Sequence, residues 1–164
     1  MARIIRDRAL VEDEWRRLSD DETLPEADAI IVSWQRWLDE RDALAARGAP
    51  LGVEIDGTVD AADVAADLEH FELIALAFPV FKDGRCYSHA RLLRERYGFS
   101  GELRAVGDVL RDQLFYMERV GIDSFALRDD LDPHQALSAF EDFSVVYQRA
   151  LDAMSPQPRW RRAA

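Results

Sequence analysis

Short apolar runs alternate with longer amphipathic runs between residues 28 and 150. The short runs have the length and composition of β-strands, and the longer runs repeat their apolar positions every three or four residues, as helices do. This alternation predicts an α/β fold in which about five βα units form a parallel sheet. The pattern fits an open twisted sheet and a partial TIM-like barrel equally well. The predicted strands are Ala29 to Val32, Leu51 to Ile55, Leu73 to Phe78, Leu103 to Val106 and Ser124 to Leu127.

The chain divides into three parts. Residues 28–154 form the predicted domain, and its third strand, LIALAF, is apolar at every position, which is typical of a central strand covered by helices on both faces. Residues 1–27 contain two short apolar runs, Ile4-Ile5 and Ala9 to Val11, which predict an N-terminal β-hairpin or arm. Residues 155–164 include two prolines and offer little to bury, so we expect a mobile tail.

Aspartates mark the starts of three predicted helices. Asp60 precedes the run AADVAADLEHF, Asp108 precedes VLRDQLFYMERV, and Asp132 precedes a proline at the first helical position. An aspartate in this position caps a helix because its carboxylate accepts hydrogen bonds from the free N–H groups of the first turn.

The helix after the third strand has one apolar face. Helical spacing predicts an inward stripe of Cys86, Ala90, Leu93 and Tyr97, and it places Arg91, Arg94 and Glu95 outside. Packing in the core is the simpler role for Cys86; the alternative is a nucleophile, because a thiol near cations at a helix N-terminus has a lowered pKa.

The composition is 48% hydrophobic and 32% charged, with a net charge of −11, as in a folded, acidic protein. This charge argues against binding to nucleic acid or to anionic membranes. No signal-peptide core and no apolar stretch of about 20 residues is present, so we expect a cytoplasmic protein. A single cysteine and the lack of GxGxxG or P-loop spacing indicate no cofactor and no metal. The sequence leaves a monomer and a homo-oligomer open.

One segment of this acidic chain is basic. Residues 81–104 carry six basic and three acidic side chains, and the segment begins in the loop that follows the predicted central strand. Because parallel sheets bind ligands at the carboxyl ends of their strands, this loop predicts a small-anion site. Its candidate residues are Lys82, Arg85, Tyr87 and Ser88. The alternative is a tight turn at Asp83-Gly84 with solvated cations.

Arg104 lies inside a predicted strand, where a buried guanidinium needs an anionic partner. In a curled sheet, Arg104 and Glu54 would face the interior, with the small Ala75 and Ala77 between them. The alternative is an ion pair at the end of a strand. We therefore add Arg104 to the candidate anion site.

Three further candidates follow Arg104 in the chain. Asp108 and Asp112 are candidate general bases, and Gln113 is a candidate for the mouth of the site. The structural alternative is that the aspartates serve as helix caps and loop residues.

The run GRCYSHARLLRERYGFSGELRAVGDVLRDQLFYMERVGIDSF, residues 84–125, resembles the signature stretch of a family of uncharacterised bacterial proteins. Members are commonly described as probable oxidoreductases of sulfite reduction and are encoded beside sulfite reductase. The likeness extends more loosely over residues 1–148. At Cys86 this sequence departs from the family, whose members usually carry a glycine-like residue there.

The resemblance implies a role in sulfur assimilation, with sulfite reductase as a candidate partner. Sulfite reduction takes six electrons and a haem or iron–sulfur centre, and one cysteine cannot hold such a cluster. We therefore expect an accessory factor of assimilatory sulfite reduction that binds a small anion. The alternatives are a small enzyme acting on a phosphorylated or sulfated metabolite, and a structural interaction module.

Overall fold

Eight strands form one mixed sheet in the computed structural model, which describes residues 2–80 and 82–141. In chain order the strands are β1 (Arg3–Arg6), β2 (Ala9–Glu12), β3 (Arg16–Arg17), β4 (Ile30–Ser33), β5 (Leu51–Ile55), β6 (Leu73–Phe78), β7 (Glu102–Gly107) and β8 (Ser124–Phe125). The helices are α1 (Trp34–Ala45), α2 (Ala61–Ala65), α3 (Arg85–Glu95), α4 (Arg111–Arg119) and α5 (Pro133–Leu137), with 3₁₀ turns at Leu68–His70 and Ser138–Glu141. Every helix of the described residues is too short or too polar to cross a lipid bilayer. The predicted tail, residues 155–164, lies outside the described residues.

The strand order is β2-β1-β8-β7-β6-β5-β4-β3. The five strands predicted from the sequence correspond to β4 to β8, which pair in parallel in chain order with β6 at the middle. The prediction of a purely parallel sheet is wrong at the edge formed by β2, because β1 pairs antiparallel with both β2 and β8. The turn between β1 and β2 consists of Asp7 and Arg8, both with positive φ, and such a two-residue turn joins antiparallel neighbours.

Helices cover one face of the sheet in the part of the chain that the structure describes. Alternate residues of β6, such as Ile74 and Leu76, belong to a core that contains buried residues from all five helices. The residues between them, such as Leu73 and Ala75, form a second cluster with Ile31 that includes no helical residue. Within residues 2–80 and 82–141, the helices therefore lie on one face of β6 and not, as the sequence had suggested, on both.

The second face is covered by residues 13–15, which we call the strap. The strap joins the two edge strands, β2 and β3, and because these three residues span at most about 14 Å, the sheet curls until its edges lie close together and the strap bridges them across this face. Trp15 packs on the small cluster formed by Ile31, Leu73 and Ala75. LIALAF is apolar at every position because helices bury one side of it and the strap covers the other.

The helix predicted after Asp60 is shorter than its apolar pattern suggests. Asp60 caps it, since its carboxylate accepts from the Ala62 N–H at 2.9 Å, but the helix ends at Ala65. Asp67 then turns inward, where its carboxylate accepts from the indole N–H of the buried Trp37 at 2.9 Å and from Arg41 at 2.7 Å. Asp67 makes this buried polar contact instead of continuing the helix.

The helix predicted to begin at Asp108 starts three residues later. The N-cap of α4 is Leu110, so the prediction of an Asp108 cap is wrong. Gly107 has a φ of +93°, and the Asp108 N–H donates to the carbonyl of Phe78 at 2.8 Å. A Cβ at position 107 would lie 2.6 Å from that carbonyl oxygen, so this close approach of β7 to β6 requires glycine.

The prediction that Arg94 lies in solvent is also wrong, because its side chain is only 16% exposed. Its N–H groups donate to three backbone carbonyls, those of Phe99, Gly101 and Gly121, at 2.7 to 3.0 Å. They also donate to the carboxylate of Asp123 at 2.8 Å. Arg94 therefore ties together the two loops that lead into β7 and β8.

We predict that Arg94→Ala lowers the free energy of unfolding by about 2 kcal/mol, because three carbonyls and a partly buried carboxylate lose their donor. Urea denaturation measures the loss. Arg91→Ala is the matched control on the same helix, because it breaks only the exposed pair with Glu95 and should leave the midpoint almost unchanged. Equal losses in the two variants would contradict the assigned role of Arg94.

Candidate functional site

A cavity of about 290 Å³ lies between the strap and the carboxyl ends of the central strands. Four charged side chains and a set of apolar groups line it. The charged ones are Asp13, Arg17, Glu54 and Arg104, and the others are Trp15, Ile31, Ala77, Phe78, Pro79, Val106, Gly107 and Ala126. Ligands of parallel α/β sheets bind at the carboxyl ends of the strands, so this cavity occupies the position expected of a ligand site.

Arg104 of β7 lies at the centre of the charged lining and is only 2% exposed. Its Nη1 donates to both carboxylate oxygens of Asp13 at 2.9 and 3.0 Å, and its Nε donates to Glu102 at 2.9 Å. Its Nη2 lies 2.8 Å from Glu102 in a geometry that makes no hydrogen bond, so this atom has no acceptor among the described residues. Arg104 thus has strong anionic partners, and its Nη2 is buried beside one of them.

The strand register explains why a guanidinium fits here. Arg104 lies opposite Ala75 of β6 and opposite Ser124 of β8. Both neighbours are small, and the Ser124 hydroxyl accepts from Arg104 Nε at 3.3 Å. Arg104 and Glu54 line the same cavity together with Ala77, as the curled-sheet interpretation of the sequence predicts.

Arg17 and Glu54 form the second charged pair of the cavity. Arg17 Nη2 donates to Glu54 Oε1 at 2.6 Å; the Arg17 side chain is 75% exposed and that of Glu54 is 17% exposed. Burial raises the pKa of Glu54 above its ordinary value of 4.5, with Arg17 opposing the rise and the carboxylates of Asp56 and Asp20 adding to it. Glu54 is therefore the lining group best suited to exchange a proton.

The cations predicted at the start of the basic segment lie outside this lining. Lys82 and Ser88 are exposed. Arg85, at the first position of α3, donates two hydrogen bonds to the carboxylate of Asp83 at 2.7 and 2.9 Å, which lowers the pKa of Asp83 to about 2. The ring of Tyr87 packs edge-on against Phe78 at a centroid distance of 5.5 Å.

The candidate general bases also lie outside the lining. Asp108 accepts a hydrogen bond from Arg128 at 2.9 Å, and the Asp112 side chain is 92% exposed in the first turn of α4. Gln113 accepts from the Leu110 N–H at 3.4 Å and so belongs to the start of the helix. Of the predicted site residues, only Arg104 lines the cavity.

The nucleophile interpretation of Cys86 is wrong. The thiol is buried in the helical core, where it donates to the carbonyl of Ala77 at 3.3 Å. Burial raises the pKa of Cys86 to about 12, and the carboxylates of Asp83 and Asp56 add to the rise. The packing role is the one that the surroundings of Cys86 favour.

Sequence reasoning missed the N-terminal contribution to the site, namely Asp13 and Trp15 of the strap and Arg17 of β3. Residues 1–27 read as a separate arm, and local patterns do not reveal that the chain crosses the sheet. The one available signal is Trp15, a large apolar side chain in a charged stretch, which has to be buried against something.

Two larger hollows are shallower and lie away from the carboxyl edge of the sheet. One, of about 650 Å³, runs along α1 from Leu38 to Ala43. The other, of about 570 Å³, lies at the amino ends of β6 and β7, beside Glu72 and Gly101. Neither is lined by a buried charged side chain, so the smaller cavity under the strap remains the candidate site.

The model of a family described as a bacterial protein of unknown function, DUF934, matches residues 52–160. The chain belongs to this family. The matched region of this DUF934 protein includes Glu54, Arg104 and the run 84–125, whereas the strap and Arg17 precede it. No curated protein and no solved structure shows significant similarity to the chain.

The cavity of this DUF934 protein offers hydrogen-bond donors and one protonatable carboxylate. Within residues 2–80 and 82–141, no three His, Cys, Asp or Glu side chains are grouped as ligands for a metal ion. Hydrogen-bond donors and a carboxyl group of raised pKa are groups that can bind a small polar ligand and exchange a proton with it.

We predict that Cys86 does not react with a thiol reagent such as dithionitrobenzoate in the folded protein at pH 8. A pKa of about 12 leaves roughly one thiol in ten thousand ionised at that pH, and the side chain is buried. One equivalent should react after unfolding in guanidinium chloride. Rapid labelling of the native protein would contradict the buried position of the thiol.

We also predict that Arg104→Ala lowers the free energy of unfolding by about 3 kcal/mol, because the largely buried Asp13 loses its counter-ion and Glu102 keeps only its longer pair with Arg6. Urea denaturation measures the loss, and adding Asp13→Asn to the variant should restore part of it. Arg128→Ala, which breaks exposed pairs with Asp108 and Asp130, is the control. If Arg104→Ala costs no more than this control, the network does not stabilise the strap.

Proposed function

We propose that this DUF934 protein is an accessory factor of assimilatory sulfite reduction that binds a small anion in the cavity under the strap. The sulfite-reduction part comes from the resemblance of residues 84–125 to proteins encoded beside sulfite reductase. The anion-binding part is carried by one observation: two guanidinium groups, those of Arg17 and Arg104, line a cavity at the carboxyl edge of the sheet. Guanidinium groups bind oxyanions through charge-assisted hydrogen bonds.

The two arginines of the cavity have different tasks in this proposal. The charge of Arg104 is already compensated by Asp13 and Glu102, so Arg104 holds the wall of the cavity in place. Arg17 is mostly exposed and has Glu54 as its ion-pair partner, so it contributes attraction for an incoming anion. The volume of about 290 Å³ has room for an oxyanion with its hydrating water or for a small metabolite that carries one.

A second candidate function is a small enzyme that acts on a phosphorylated or sulfated metabolite. The observation that favours it is Glu54, a carboxyl group in the cavity wall whose pKa is raised by burial. A raised pKa suits a general acid or base that works near neutral pH. In this alternative Glu54 takes the catalytic role that the sequence suggested for Asp108 or Asp112.

The test combines a thermal-shift assay with a binding assay on the purified protein. We expect sulfite or sulfate to raise the melting temperature of the wild type, and we expect immobilised protein to retain purified sulfite reductase. Arg17→Gln should keep the fold, because Arg17 is 75% exposed, and should lose most of the anion-induced shift. Arg91→Gln removes an exposed arginine that lies outside the cavity lining, and this variant should keep the anion-induced shift in melting temperature.

The outcomes separate the candidate functions. Stabilisation by phosphate or adenylyl sulfate without retention of sulfite reductase would favour the enzyme. Retention of sulfite reductase without any anion response would favour a structural interaction module. No response to any anion and no retention would contradict the proposed function.

A further inference from the structure

The charges that line the cavity cancel. The carboxylates of Asp13 and Glu54 offset the guanidinium groups of Arg17 and Arg104, and Glu102 has Arg6, at 3.7 Å, as a partner besides Arg104. A bound anion therefore meets no net positive charge, and its repulsion by the carboxylates is strongest where water is excluded. An anion binds better if one carboxylate becomes neutral or leaves.

Among the three carboxylates, Glu54 is the one that can be replaced. Asp13 and Glu102 both bind the buried Arg104, where loss of a partner is costly. Among the described residues, the hydrogen-bond partner of Glu54 is Arg17. The Arg17 side chain is largely exposed, so it can change partners at little cost in free energy.

The surroundings of Glu54 favour its neutral form. The charged groups near it are Arg17 of β3 and the carboxylates of Asp56, after β5, and Asp20, after β3. Its lateral neighbours in the sheet, Ser33 of β4 and Ala75 of β6, are uncharged. Arg17 is thus the one nearby cation that holds Glu54 in its ionised form, and removal of that cation leaves a carboxylate facing two others.

We propose that a small dianion replaces the Glu54 carboxylate on Arg17 and that Glu54 takes up one proton from solvent as the anion binds. This inference rests on the proposed anion-binding function and adds its regulation by pH. Proton uptake removes one negative charge from the lining, and the protonated Glu54 becomes a hydrogen-bond donor to the anion. No covalent bond is made or broken in this exchange.

The experiment is isothermal titration calorimetry of the wild-type protein with sulfate, which stays doubly charged between about pH 5 and pH 8. Linked uptake of one proton weakens sulfate binding by up to about tenfold for each pH unit above the pKa of Glu54. Titrations in two buffers with different heats of ionisation should report uptake of about one proton for each sulfate bound at pH 7.5.

Glu54→Gln supplies the decisive variant, because glutamine is uncharged and is close to glutamate in shape. We expect it to bind sulfate more tightly than the wild type at pH 7.5, with little dependence on pH and no proton uptake. Glu95→Gln, which alters the exposed Arg91–Glu95 pair on α3, is the matched control and should behave as the wild type does.

Two results would overturn the inference, and they differ in what else they affect. If sulfate binds with a pH-independent affinity, or if Glu54→Gln binds it no better than the wild type, the proton exchange is wrong while anion binding stands. If neither the wild type nor Glu54→Gln binds sulfate at any pH in this range, the proposed anion-binding function fails as well.

Discussion

The burial of the Arg104 guanidinium is the constraint on which the rest of this structure depends. A charge that is 2% exposed on the face of a sheet has to be matched by carboxylates, and one of its two carboxylate partners comes from the strap. The pairing with Asp13 therefore fixes where the N-terminal segment crosses the sheet. That crossing brings Trp15 onto the apolar cluster of the same face and leads the chain to the sheet edge, where Arg17 meets Glu54. The cavity lies between these contacts.

The buried parallel strands at the middle of the sheet could be predicted from the sequence. The bounds of β5 and β6 agree with the prediction, because continuous apolar runs with clear ends specify buried parallel strands. The contribution of the first 27 residues could not be predicted, because it depends on contacts such as Asp13 with Arg104, which are distant in sequence. Periodicity also failed for Arg94: it gives the direction in which a side chain leaves the helix, whereas a long guanidinium can fold back onto carbonyls several residues away.

The charge count along the chain was informative about composition and misleading about the site. The basic segment, residues 81–104, is a feature of the sequence, but its arginines serve separate purposes in the fold. Arg85 binds the neighbouring Asp83, Arg91 binds Glu95 one turn away, and Arg94 binds loop carbonyls. A sum of charges cannot reveal this, because each arginine meets its partner within a few ångströms and is neutralised locally. Arg17, which lies outside the basic segment, contributes more to the cavity than Lys82 or Arg85 does.

The two ion pairs of the cavity differ in burial, and this difference determines what each can do. The partners of Arg104 are 13% and 16% exposed, so separating them leaves charges that water cannot readily solvate, and the pair is effectively permanent. Arg17 is exposed enough that water can replace its partner, so its pair with Glu54 contributes little to stability and can open at little cost. A ligand that needs a cation therefore competes for Arg17 and leaves Arg104 in place. The buried pair keeps the cavity in shape, and the exposed pair is the part that can respond to a ligand.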